Sequence, residues 1–135
     1  PGEARAGSIA ENNLRKRAKA VRDGGLKVDE LKAMVSGMEM SEETAQIYAR
    51  FAAIWVTPIQ QALADVGSEV TYVFGSKVPS QTADRLKVLP LLFKGHLFEL
   101  SAALTSADKQ ATLREIDEMT ETVDEFNSLV KPIGI

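Results

Sequence analysis

The sequence contains no cysteine and only one histidine and one tryptophan in 135 residues. Lack of cysteine removes disulfides, thiolate metal sites and cysteine nucleophiles, leaves the redox compartment unreadable, and makes packing the source of stability. Long apolar runs are missing too: the longest, Phe51 to Val56 and Val88 to Phe93, fall well short of the ~20 residues that span a bilayer, so no membrane-spanning segment is expected. Aromatics make up 6% of the chain, and none lies in its basic run, which weakens any nucleic-acid reading. The chain opens at Pro1 with neither an initiator methionine nor a basic start leading into an apolar stretch. This raises the expectation that any targeting segment has been removed.

What is present is ordinary globular material, 44% hydrophobic and 26% charged with a net charge of −3, enough for one domain over residues 1–135. Apolar residues recur at helical spacing almost throughout. Leu14, Ala18 and Val21 make a thin stripe on a first helix, with Asp23-Gly24-Gly25 read as its stop. Leu31, Met34, Val35 and Met38 mark a second, short one ending near Gly37, and residues 1–40 are expected to pack loosely. Ser41, followed by Glu42 and Glu43, caps a long helix with Ile47, Phe51, Ile54, Trp55, Ile59, Ala62, Leu63 and Val66 on its inner face. Pro58 should kink or split that helix near Thr57, and Gly67-Ser68 should close it.

Between 67 and 79 the apolar residues Val70, Tyr72 and Phe74 alternate, which predicts an extended connector lying over the bundle. From Ser80 to Leu104, Leu86, Leu89, Phe93, Leu97, Leu100 and Leu104 step by three and four. Val88, Leu92 and Phe98 widen the face, and Pro90 should bend the helix. Thr105 and Asp108 have capping-box spacing for a last helix lined by Ile116, Met119, Val123, Phe126 and Val130 and stopped by Pro132. The expected fold from these spacings is all-α, with one extended connector.

The chemistry-bearing residues are few. His96 and Glu99 form a single reversed pair, where a di-iron bundle needs Glu-x-x-His on two helices, so no metal site and no cofactor is expected. A catalytic triad through His96 lacks any Gly-x-Ser-x-Gly turn, and Gly24-Gly25 lacks the lysine and the preceding strand of a phosphate loop. No catalytic residue is therefore assigned. Asp117, Glu118, Glu121, Asp124 and Glu125 read as a solvated face. Tyr48, Phe51 and Trp55 read as core, with an apolar-ligand cavity beside Trp55 and Phe93 as an alternative. Arg15, Lys16, Arg17, Lys19 and Arg22 form a run with no acid inside it, and they are the residues assigned to partner binding.

The stretch from Arg85 to Lys131 resembles the helical pair of the PsbQ family, extrinsic subunits on the lumenal side of photosystem II. The likeness lies in a leucine-rich helix carrying basic residues, led through Ser106-Ala107-Asp108-Lys109-Gln110 into an amphipathic helix. It is closest in kind to the divergent forms of red-lineage algae such as diatoms. Two departures are plain: the family pair is followed by a further helix, and the basic first helices have no counterpart. The resemblance implies a non-catalytic, monomeric, up-down-up-down four-helix bundle, here with an additional short N-terminal helix and one extended connector, in the thylakoid lumen of a plastid, peripheral to the membrane. There it would dock on intrinsic lumenal loops and other extrinsic proteins, support the calcium and chloride environment of the manganese cluster, and stabilise oxygen evolution. No ligand residue of the family transfers. The alternative is a small helical bundle that binds an apolar ligand or a protein partner outside photosynthesis.

Overall fold

The computed structural model describes residues 2–135, with side chains from Ile9 onward. Five α-helices follow one another: α1 (Gly2–Gly37), α2 (Glu42–Trp55), α3 (Thr57–Phe74), α4 (Ser80–Thr105) and α5 (Lys109–Val130), with short 3-10 turns at Gly75–Lys77 and Lys131–Ile133. Helices α2 and α3 are two halves of one rod bent at Val56, so four rods form an up-down-up-down four-helix bundle. Each rod packs mainly on two others: α1 on α3 and α5, α4 on α3 and α5, with α2 filling in between α1 and α4. The ring encloses one core, in which Leu14, Ile59, Leu63, Leu89, Phe93, Ile116 and Phe126 are wholly or almost wholly buried.

Local chemistry explains most of the boundaries. The hydroxyl of Ser41 accepts from the Thr44 backbone N–H at 3.2 Å while the Ser41 N–H donates to the Thr44 hydroxyl at 2.8 Å, a reciprocal cap for α2. Pro58 falls in the first turn of α3, where its missing N–H costs no helical bond, so the expected split occurs beside it. Pro90 lies within α4, which continues through it as one element. At the far end of α4, Ala107 takes a left-handed φ of 51°. The Asp108 and Ala107 N–H groups then reach back to the carbonyls of Ala103 and Leu104, satisfying two orphan acceptors. Asp108 caps α5 by accepting from the Ala111 N–H at 3.0 Å. Thr105 is not part of that cap; its hydroxyl turns back to the Ser101 carbonyl.

The first helices differ most from the sequence reading. No stop occurs at Gly24-Gly25: α1 is one continuous helix, not two short ones, and Leu14, Ala18, Val21, Val28, Leu31 and Val35 lie fully inside the core rather than packing loosely. The glycines serve close approach. A Cβ on Gly24 would meet the Ile59 side chain of α3 at 2.3 Å, and one on Gly25 would meet Val123 of α5 at 3.0 Å. A thin stripe suffices because neighbouring helices come close enough to cover it.

The extended connector over 67–79 is likewise replaced by helix. The α3 helix runs on to Phe74, burying Val66, Val70 and Phe74 four residues apart and leaving Tyr72 92% exposed. The alternation of three apolar residues mimicked a strand only because Tyr72 points to solvent. Gly67 does not end the helix either; it lets α3 approach the α4 backbone, where a Cβ would lie 2.6 Å from the Leu86 carbonyl oxygen. Ile47 and Ile54 on α2, and Val88, Leu92 and Phe98 on α4, were expected inside and are exposed. Ala45, Tyr48 and Ala52 form the inner face of α2 in their place.

Candidate functional site

Across the α4–α5 hairpin, His96 and Glu99 on α4 face Glu118 and Glu115 on α5, and one donor atom from each lies within 4.8 Å of all the others. The spacing is three residues on each helix, which puts each pair on one face one turn apart. The imidazole Nδ1 of His96 is 3.0 Å from a Glu118 oxygen and 3.6 Å from a Glu115 oxygen. Despite the short contact, neither His96 Nδ1 nor Glu115 Oε2 completes a hydrogen bond, although both atoms are buried. The Glu115 side chain is only 8% exposed. Burial, the neighbouring Glu99 carboxyl and the negative charge of Glu118 push its pKa up to about 7, with Arg114 the one group opposing them.

Two ion pairs tie α5 to α4 and to α1. Arg85 of α4 grips Glu125 of α5 with two nitrogens, one at 2.8 Å, and holds that carboxyl below the usual range through this hydrogen-bonded pairing. Lys32 of α1 reaches Asp117 at 2.6 Å from the other side. Thus Asp117 and Glu125 of the expected solvated face are paired, and Glu118 belongs to the cluster. The lone His-x-x-Glu pair was visible in the sequence. Its partners were not, because their relation depends on where the hairpin turns. Counting equal steps outward from the Ser106-Ala107-Asp108 turn brings 99 opposite 115 and 96 opposite 118.

The five cations assigned to partner binding do not form one surface. Arg15, Lys19 and Arg22 share a face of α1 by helical spacing, whereas Arg17 reaches Asp65 on α3 at 3.3 Å. Arg15 donates to the Gly134 carbonyl at 3.3 Å and Arg22 to the Ile135 carbonyl at 3.0 Å, so both hold the C-terminal turn against α1. Lys19 pairs with Asp23 one turn on at 2.7 Å. Lys16 is the one of the five with no ion pair or side-chain hydrogen bond among the described residues. Trp55 stacks on Phe51 with ring centres 4.7 Å apart and carries the Lys27 ammonium 5.0 Å above it, while Phe93 is sealed in the core.

The outward face of α4 is the other unusual surface. It carries Val88, Leu91, Leu92 and Phe98, the last 77% exposed, around a solvent-facing Gly95. By length and composition α4 is the one helix among the described residues apolar enough to cross a membrane, yet only 33% of that stretch is buried. Beside it, a shallow groove of about 170 Å³ between α2 and α4 is walled by Ala49, Ala53, Thr57, Leu97 and Ser101. No known protein family matches the chain, and no curated protein or solved structure matches it significantly.

Proposed function

We propose that this protein is a non-catalytic helical bundle that docks on a protein partner through the outer face of α4. The observation that carries this reading is the exposed apolar stripe of Val88, Leu91, Leu92 and Phe98 on a helix that buries only a third of its most apolar stretch. A stripe of this kind costs solvation unless something covers it. Gly95 supports the same reading. An exposed mid-helix glycine costs about 1 kcal/mol against alanine, and a close-packed neighbour at that point would offset the cost. The concave α2–α4 groove with small-residue walls suits the ridge of a partner helix better than a flat bilayer. Lys87 and Lys94 flank the stripe on the α3 side without ion pairs among the described residues, so the partner helix is one with acidic margins.

Photosystem II docking is a narrower form of the same proposal and rests on the PsbQ resemblance alone. Four of its five expected anchors, Arg15, Arg17, Lys19 and Arg22, already hold contacts within the chain. A partner outside photosynthesis is the better supported reading. The test is a photo-crosslinker placed at position 98 or, as a control, at Tyr72, with the same protein carrying Leu91→Glu. Position 98 should capture a single protein species that Leu91→Glu abolishes and position 72 does not reach. Vesicle co-sedimentation and light scattering run alongside; binding only to vesicles, or only to a second copy of the chain, would replace the proposed partner.

A further inference from the structure

We propose that His96, Glu99, Glu115 and Glu118 bind a divalent transition-metal cation of the zinc class and thereby bridge α4 to α5. This goes beyond the docking reading and does not depend on it. Acidic clusters on helices are common, and proximity alone would carry little. Here a second observation points inward: the Glu115 carboxyl is more than nine-tenths buried, its Oε2 has no hydrogen-bond partner, and it lies 3.6 Å from the equally unpartnered Nδ1 of His96. Leaving a buried acceptor unsatisfied costs roughly 1–3 kcal/mol, and more for a charged one. A cation placed between these atoms would satisfy both.

The donor set narrows the class. One imidazole nitrogen with carboxylate oxygens suits zinc, cobalt, iron or manganese. Calcium and magnesium favour oxygen ligands throughout, and no thiolate is present to select a softer ion. A tetrahedral zinc at ~2.1 Å from each donor holds the donors roughly 3.4 Å apart. His96 to Glu118 at 3.0 Å and His96 to Glu115 at 3.6 Å are already near that separation. Glu99 and Glu118 are less buried and free to swing inward, and the widest gap to close starts from 4.8 Å or less. The Ala107 turn and the packing of α4 on α5 hold the two pairs opposite each other, so the cation closes a prepared site.

Cobalt titration of the full chain, followed by visible absorption, reads the site directly. The expected result is saturable one-to-one binding with ligand-field bands, lost more than tenfold in affinity in both His96→Ala and Glu115→Gln. Glu121→Gln, elsewhere on α5, should leave it unchanged. Zinc should raise the melting temperature of the unaltered chain but not of Glu115→Gln, whose folding is checked by circular dichroism. Because Glu115→Gln removes a buried acid, it should be at least as stable as the parent without metal, so lost binding would not reflect unfolding. Weak binding shared by all variants, or full binding retained by Glu115→Gln or His96→Ala, would overturn the site. An equal response to calcium would overturn the assigned class.

Discussion

Burial, the Glu99 carboxyl and the negative charge of Glu118, opposed by Arg114 alone, keep Glu115 protonated up to about 7 instead of 4.5 in the folded chain. The folded state then binds more protons than the unfolded state between those values. The contribution of Glu115 is fully present below about 4.5 and is lost as the pH rises through about 7. In chelator-treated protein, urea denaturation should show stability falling by about 2–3 kcal/mol from pH 5 to pH 8, and Glu115→Gln should remove that slope. Glu125, shifted the other way by Arg85, acts at lower pH and does not mask the effect. Much of this was hidden in the sequence. His96-x-x-Glu99 could be read locally, but Glu115 stood among other acids at the margin of the apolar face of α5, and only the hairpin packing covers that margin. A charged residue inside an acidic amphipathic stretch is ordinarily taken as wet.

At the scale of the element, helix ends marked by a cap or a proline were legible, and those read from Gly24-Gly25 and Gly67 were not. Caps such as Ser41 and breakers such as Pro58 acted as their local chemistry dictates. Glycine misled three times, at Gly24, Gly25 and Gly67, because a glycine that admits a neighbouring helix and one that ends its own look alike in one chain. The contrast between Gly67 and Gly95 tests this. Gly67→Ala should destabilise by roughly 1–3 kcal/mol, since its Cβ would press on the Leu86 carbonyl and backbone cannot step aside. Gly95→Ala, with nothing within 4 Å of the new Cβ, should stabilise the free chain by about 1 kcal/mol. Thermal melts of the two variants would check both signs. The inner face of α2 shows a related ambiguity: Ile47 and Ile54 are large enough to be expected inside, yet Ala45, Tyr48 and Ala52 take the inner positions, whereas Leu86, Leu89, Phe93, Leu100 and Leu104 of α4 face the core as their spacing predicts.

For the molecule as a whole, the helical core followed from the spacing of the apolar stripes and the four-helix arrangement was what the resemblance implied, whereas the continuous α1 followed only from tertiary contact. Charge also has a different role at this scale than along the sequence. The basic run read as an outward face, yet Arg15 and Arg22 fasten the C-terminal turn across more than a hundred residues of chain. Ile135 is buried beneath that fastening. Replacing Arg22 with alanine should lower stability by about 1–2 kcal/mol in urea, because a partly buried, charge-assisted bond to the Ile135 carbonyl is lost. A variant at Lys16, which holds no such bond, should match the parent. Equal stability of all three proteins would remove the fastening from the account.

The order of the helices along the chain has one more consequence. Helix α1 is made before α3 and α5, the helices it sits against, and α5 follows α4. During translation α1 must therefore wait with half of its seat missing, Gly25 facing water in the place of Val123. A ribosome-stalled chain ending before Lys109 should leave α1 open to protease, and a chain released after Val130 should not.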